Sequence, residues 1–120
     1  MAQWDGDIVV LNFWASWCPP CVREIPHFVA LQDKYGEQGV QFVGVAIDRR
    51  EAAQEFAEEL GVNYPMLYGV QAAMEISEAY GNMSGTLPYT VVIDRDGTIT
   101  DVFPYEVDHE TMENAVLKLL

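Results

Sequence analysis

The sequence has few cysteines, few basic residues and no long apolar run. Its two cysteines, Cys18 and Cys21, are too few for a disulfide-rich secreted scaffold. Six Lys and Arg stand against 19 Asp and Glu, a formal net charge of −13. A surface this acidic repels phosphate backbones, so we expect no nucleic-acid partner and expect charged partners to be basic. No apolar stretch approaches the ~18 residues of a membrane span, and we expect no signal peptide in this chain.

The 120 residues, half of them hydrophobic, fit one domain with its own core. Apolar spacing predicts strands over 8–14, 40–47, 89–93 and 98–103, a short extended piece over 64–68, and helices over 18–35, 51–60, 72–80 and after Asp108. We expect the first helix to stop at Gly36. Strands that alternate with helices predict an α/β fold with a mainly parallel sheet, a final antiparallel hairpin and helices on both faces.

The motif Trp17-Cys18-Pro19-Pro20-Cys21 lies at the junction between the first predicted strand and the first predicted helix. Free N–H groups at a helix N-terminus favour an anion, so Cys18 is placed to ionise, and the thiolate is the nucleophile. Cys21 lies one turn further on the same face, where it can attack a mixed disulfide formed by Cys18. The motif therefore predicts dithiol–disulfide chemistry. A metal site and an inert structural disulfide are the alternatives, but His27 and His109 do not have zinc-finger spacing, so we expect no metal.

The two prolines of the motif affect the thiolate. Prolines are tolerated in the first helical turn, whose N–H groups have no partner within the helix. Pro19 and Pro20 nevertheless remove two backbone donors that could stabilise an anion at Cys18. We therefore expect only a modest lowering of the pKa of Cys18, which favours a reductant over a strong oxidant.

The segment N-F-W-A-S-W-C-P-P-C-V-R-E-I-P (Asn12 to Pro26) resembles the thioredoxin-like superfamily and, within it, the TlpA-like branch of thiol–disulfide oxidoreductases. The segment Gly85-Thr86-Leu87-Pro88 and the turn Asp96-Gly97 extend the resemblance over most of the chain. It implies a three-layer α/β/α sandwich around a central mixed sheet of four to five strands. It also implies a single domain over residues 1–120 with a central α/β insertion at approximately 49–69.

Several family roles fall on matching residues. The resemblance makes Cys18 the exposed nucleophile, Cys21 the resolving cysteine and Pro88 a cis-proline opposite the dithiol, although a proline at a strand entrance is the plainer interpretation of Pro88. Trp17 is expected beside the dithiol, with ordinary core packing as its alternative. The partner-binding residues implied in this way are Trp17, Pro19, Pro20, Leu87 and Pro88.

Glu24 follows Cys21 by three residues and shares its helix face. The TlpA-like branch has an acid here, which implies a partly buried carboxyl group that accepts the proton of Cys21. The alternative is a carboxylate that only complements the helix dipole. Thioredoxins proper often carry a buried Asp where this chain has Asn12, and because Asn cannot titrate, the proton acceptor must lie elsewhere.

These observations predict a thiol–disulfide oxidoreductase that reduces protein disulfides through a mixed disulfide, with no organic cofactor. Expected partners are protein dithiols and disulfides, and the chain is expected to be a monomer. The resemblance implies an extracytoplasmic setting. Two other functions stay open: a copper carrier that uses the C-x-x-C pair with Met or His, and a peroxiredoxin-like peroxidase. The second lacks support because Ala15-Ser16-Trp17 offers no Pro-x-x-x-Thr segment.

Overall fold

A computed structural model describes residues 4–120. The chain forms five strands, β1 to β5, and four helices, α1 to α4, in the order β1 (Ile8–Trp14), α1 (Pro19–Tyr35), β2 (Val40–Ala46), α2 (Arg50–Glu59), β3 (Met66–Tyr68), α3 (Gln71–Ala79), β4 (Tyr89–Ile93), β5 (Ile99–Phe103) and α4 (His109–Leu117). The predicted alternation of strands and helices is confirmed, with most boundaries within one or two residues.

The five strands form one mixed sheet with the order β3-β2-β1-β4-β5. The strands β1, β2 and β3 are mutually parallel, whereas β4 is antiparallel to β1 and to β5. The short return from β4 to β5 passes through the turn at Asp94–Gly97, where the side chain of Asp94 accepts hydrogen bonds from the N–H groups of Asp96 and Thr98 at 2.9 and 3.0 Å. The mixed sheet and its final hairpin agree with the sequence.

Helices cover both faces of the sheet, which gives the predicted three layers. Successive residues of a strand point to opposite faces. Ile8 and Val10 of β1 therefore pack with Phe28 of α1 and Met112 of α4, whereas Val9, Leu11 and Phe13 pack on the other side with Ala73 of α3. All seven residues of β1 are buried, as expected for a central strand covered on both faces.

The first helix ends where the sequence predicts, at Tyr35, with Gly36 as its C-cap. Gly36 has helical backbone angles (φ −56°, ψ −41°) and opens a 3₁₀ turn, Gly36–Gln38, that follows α1. The reversal into β2 occurs at Gly39, whose φ of 93° lies in the left-handed region that favours glycine.

The sheet topology brings separate segments to one edge. The parallel strands β1, β2 and β3 all end there, and register places Trp14 beside Ala46 and Ala46 beside Tyr68. Because β4 runs the other way and Tyr89 pairs with Phe13, the start of β4 lies at the same edge. The Cys18–Cys21 motif, the Asp48–Arg49 segment, Val70 and the Leu87–Pro88 pair therefore meet there.

None of the helices within residues 4–120 combines the length and hydropathy that crossing a bilayer requires.

Gly44 allows β2 and β3 to approach closely beneath this edge. A Cβ atom at Gly44 would overlap the thioether of Met66, which accepts a hydrogen bond from Nε1 of Trp14 at 2.9 Å. We therefore expect Gly44→Ala to lower the free energy of unfolding by roughly 1–3 kcal/mol through overpacking, measured by urea denaturation. Combining it with Met66→Ala removes the obstructing atoms, so the two substitutions should cost less together than the sum of their separate effects. Simple additivity would contradict a steric role for Gly44.

Candidate active site

Cys18 and Cys21 are joined by a disulfide, with Cα atoms 5.3 Å apart. Cys18 is the N-cap of α1 with an extended backbone (φ −113°, ψ 97°), and its N–H donates to the carbonyl of Ala15 at 3.2 Å. Cys18 keeps 6% of its surface exposed, whereas Cys21 is fully buried. Of the two cysteines, only Cys18 thus retains any exposed surface, which is the order that an attacking and a resolving cysteine require.

The N-terminus of α1 is built to favour a thiolate at Cys18. Pro19 and Pro20 occupy the first two helical positions, and no acidic residue lies in the first turn. A helix of 17 residues carries a partial positive charge at this end. With no carboxylate in the first turn to oppose it, that charge acts on the sulfur of Cys18.

The surface around Cys18 is apolar. Trp17 is 65% exposed, so the alternative of ordinary core packing was wrong for this residue. The Leu87–Pro88 peptide bond is cis, Pro88 is buried and Leu87 is half-buried. A pocket of about 280 Å³ lies beside the disulfide and is lined by Trp17, Ile47, Asp48, Arg49, Val70, Met74, Gly85 and Leu87.

Asp48 fixes the loop that precedes the disulfide, a role that the sequence did not reveal. Its carboxylate accepts hydrogen bonds from the hydroxyl and the N–H of Ser16, the latter at 2.9 Å, and from the N–H of Arg49 at 2.8 Å. Burial disfavours ionisation, but these hydrogen bonds outweigh it and hold the pKa of Asp48 below its usual value. The end of β2 is thereby tied to the turn that carries Trp17.

Glu24 is fully buried one helical turn beyond Cys21. One oxygen, Oε1, accepts from Nδ2 of Asn12 at 2.9 Å, and the other, Oε2, accepts from the N–H of Val107 at 3.0 Å. The same Nδ2 of Asn12 donates to Oγ1 of Thr90 at 3.0 Å. The sequence suggested a link between Asn12 and Glu24 but missed Thr90 and Val107, which come from β4 and from the segment before α4.

Burial raises the pKa of Glu24 to about 7. The hydrogen bonds from Val107 and Asn12 favour the carboxylate and limit the shift, while the nearby charge of Glu106 adds to it. A carboxyl group with a pKa near neutrality can accept and release a proton under physiological conditions. Glu24 is buried and lies outside the first turn of α1, so it is not an exposed acid that only complements the helix dipole.

His27, His109 and Tyr89 make their polar and ring contacts outside this site. The rings of His27 and His109 stack edge to face with centroids 5.6 Å apart, and Tyr89 donates its hydroxyl to the carbonyl of Tyr80 at 2.8 Å. Within residues 4–120, no group of three or more His, Cys, Asp or Glu side chains could hold a metal ion.

The sequence matches the model of the AhpC/TSA family over residues 1–102. It is 35% identical over 103 residues to the thiol-disulfide oxidoreductase ResA of Halalkalibacterium halodurans. The aligned region covers 85% of this chain and 56% of that relative. This chain therefore spans little more than half of that protein's length.

Two solved structures show the same architecture. A thiol:disulfide interchange protein of the thioredoxin family from Chlorobium tepidum superposes with a TM-score of 0.88 at 27% identity, over 98% of this chain and 83% of that one. A secreted disulfide oxidoreductase from Mycobacterium tuberculosis, homologous to DsbE of E. coli, superposes with a TM-score of 0.83 at 27% identity. The match covers 98% of this chain and 86% of that one. Their likeness confirms the thioredoxin-like fold.

The raised pKa of Glu24 predicts a pH-dependent stability difference. A protonated Glu24 is favoured in the folded state, so its contribution is fully present below the unfolded pKa of about 4.5 and is lost as pH rises through about 7. Glu24→Gln cannot ionise. We expect its stability relative to the unmodified protein to improve by roughly 3 kcal/mol from pH 4 to pH 8, measured by urea unfolding of the oxidised proteins. Parallel stability curves for the two proteins would show that Glu24 has no raised pKa.

Proposed function

Because this chain belongs to the AhpC/TSA family and has the thioredoxin-like fold, we propose that it is a thiol–disulfide oxidoreductase that reduces protein disulfides. One observation carries the proposal: a C-x-x-C pair at a helix N-terminus, with Cys18 at the surface and Cys21 sealed behind it. The exposed apolar surface of Trp17 beside Cys18 gives a partner protein a place to bind.

The first step is attack by the thiolate of Cys18 on a disulfide of the partner. One Cys18–partner S–S bond forms, the partner's S–S bond breaks, and the departing partner thiolate takes up a proton. The helix N-terminus stabilises the thiolate of Cys18, while Pro19 and Pro20 limit that stabilisation because they donate no hydrogen bonds. This limited stabilisation of the thiolate supports electron transfer from this protein to its partner disulfide.

The second step releases the partner. Cys21 loses its proton, and its sulfur attacks that of Cys18. The Cys18–Cys21 disulfide forms and the second partner thiolate leaves and is protonated. In sum, two electrons pass from the dithiol of this protein to the partner disulfide, and both partner sulfurs become thiols. No organic cofactor is needed.

Glu24 is proposed as the group that accepts the proton of Cys21. It lies on the same helix, one turn away, in a fully buried position where bulk water is excluded. With a pKa of about 7, it is sufficiently ionised near neutrality to act as a base. The donors Asn12 and Val107 fix both of its oxygens and hold the carboxylate in place.

We propose Trp17, Pro19, Pro20, Leu87 and Pro88 as the residues that meet the partner chain, because they surround Cys18 at the sheet edge. The protein is proposed to act as a monomer in a single domain and outside the cytoplasm. The name of the Mycobacterium tuberculosis structure, which calls that relative secreted, supports this setting.

The two cysteines should separate into two roles. With Cys21→Ser, the reduced protein should form a mixed disulfide through Cys18 and stop there, whereas Cys18→Ser should form none and lose disulfide reduction. Non-reducing mass spectrometry after incubation with oxidised insulin checks both outcomes. Trapping through Cys21 instead, or rapid consumption of hydrogen peroxide by a protein that leaves insulin intact, would refute the proposed activity.

Glu24→Gln should slow resolution of the mixed disulfide by roughly 10²-fold at pH 7, as is typical when a general base is lost. The defect should shrink above about pH 9, where a thiol of ordinary pKa ionises unaided. Rapid acid quenching and mass spectrometry follow the decay of the mixed disulfide.

Two controls isolate the proton transfer. In a Cys21→Ser background, Glu24→Gln should leave the first attack unchanged. The same substitution at Glu55, an exposed acid of α2, should leave resolution unchanged. An equal loss of rate at every pH would assign Glu24 a purely structural role.

A further inference from the structure

The basic residues of this chain differ in whether their side chains have polar partners. All six lie in the described residues 4–120, and four of them have polar partners. These are the ion pairs Arg23–Glu106, Lys34–Glu113 and Lys118–Asp101, each 2.8 Å long, and Arg95, which donates to the carbonyls of Gly6 and Gln38. The side chains of Arg49 and Arg50 make no ion pair or hydrogen bond of this kind and are exposed.

Arg49 lies at the candidate active site. It follows β2 directly and lines the pocket beside the disulfide, where its neighbours include Trp17 and Leu87. Arg50 begins α2, whose N-terminus adds a partial positive charge. In a chain with a net charge of −13, one of the two basic side chains outside these ion pairs and hydrogen bonds therefore lines the pocket at the candidate active site.

Asp48 is the nearest acid: it lines the same pocket, and its carboxylate and the charge of Arg49 attract each other. Asp48 is buried, however, and its two oxygens already accept hydrogen bonds from Ser16 and from the N–H of Arg49. Glu51 is exposed in the first turn of α2 but does not line the pocket. A molecule that enters the pocket thus meets the side chain of Arg49 at its rim.

Apart from Arg49 and Asp48, the pocket is lined mainly by apolar side chains, and it is small. Its walls include Trp17, Val70 and Met74, whose exposed fractions are 65%, 53% and 45%. The volume of about 280 Å³ is at the low end for small-molecule sites, which span roughly 300–1,000 Å³, and suits one side chain of a peptide. Met74 is unbranched and flexible, so it can adapt to different apolar side chains.

We infer that this pocket selects partner segments in which an apolar side chain and a carboxylate flank the reactive cysteine: the apolar group enters between Trp17, Val70 and Met74, and the carboxylate pairs with Arg49. This inference rests on the proposed function and specifies its substrates. It reverses what the net charge alone predicts, because an acidic protein as a whole attracts basic partners. Arg49, Val70 and Met74 are then residues that determine specificity without taking part in the sulfur chemistry.

Short disulfide peptides test the inference. Capped peptides X-Leu-Cys-Leu-X, with X as Glu, Gln or Lys, carry 2-mercaptoethanol in disulfide linkage to the cysteine. The reduced protein converts each to the peptide thiol and free 2-mercaptoethanol while its own dithiol becomes the disulfide. At 0.15 M ionic strength, where charges beyond about 8 Å are screened, we expect the Glu peptide to react roughly fivefold faster than the Lys peptide, as for a partly exposed ion pair. The Gln peptide should lie between them.

Matched variants separate the local charge from the net charge. Arg49→Gln should remove the preference for the Glu peptide over the Lys peptide. Lys118→Gln makes the same charge change at the end of α4 and should keep the preference. Val70→Ser with Met74→Gln should instead reduce the rate at which X-Leu-Cys-Leu-X peptides react relative to X-Ser-Cys-Ser-X peptides with the same X. Faster reaction of the Lys peptide, an unchanged preference in Arg49→Gln, or an equal loss in Lys118→Gln would overturn the inference.

Peptides with serine in place of cysteine separate docking from reduction. Titrated into the oxidised protein, the Glu peptide should shift the NMR signals of the Trp17 indole and the Met74 methyl group at lower concentration than the Lys peptide. If no cysteine peptide is reduced but this preference remains, the proposed function fails and the docking inference stands. If the peptides are reduced without any charge preference in rate or binding, the docking inference alone fails.

Discussion

The arrangement of this protein depends on β1 being hydrogen-bonded on both sides. A strand that pairs in parallel with β2 and antiparallel with β4 must deliver its own end, the end of β2 and the start of β4 to the same edge. The disulfide follows β1, Asp48 and Arg49 follow β2, and Pro88 precedes β4. Their proximity is therefore a consequence of strand direction.

Glu24 shows how the same strand supports the chemistry. A carboxyl group in a core is costly unless its oxygens are hydrogen-bonded. Asn12 of β1 supplies one donor and the N–H of Val107 supplies another, yet burial still dominates and keeps the pKa near 7. More donors would lower the pKa and make Glu24 a weaker base, whereas fewer would keep it protonated. The Asn at position 12 assists the acid while leaving the titration to Glu24 alone.

The sequence predicted the features whose determinants are local. The apolar run of β1, the cysteines at a helix start, the Asp96-Gly97 turn and the helix after Asp108 each depend on neighbouring residues. In the structure, the side chain of Asp108 caps that helix by accepting from the N–H of Thr111 at 2.8 Å. The resemblance to thioredoxin-like proteins added the mixed sheet and the cis bond at Pro88. The end of α1 at Gly36 also agrees with the sequence, whereas the 3₁₀ turn Gly36–Gln38, which precedes the reversal at Gly39, was not predicted.

Sequence patterns did not predict the contacts between segments that are distant along the chain. Nothing near Asp48 in the chain indicates that its carboxylate holds Ser16, 32 residues earlier, and Thr90 and Val107 reach Asn12 and Glu24 only through the fold.

The charge of the chain illustrates why composition is a poor guide to recognition at a site. A net charge of −13 describes the field far from the protein, which governs long-range encounter. Within a Debye length of about 8 Å, a partner responds instead to the few charges that face it. At the pocket near Cys18 those include Arg49 and Asp48, whose carboxylate is buried and hydrogen-bonded to Ser16. An acidic exterior and a basic rim at the dithiol are thus compatible, and the second decides which segment of a partner reaches the sulfur.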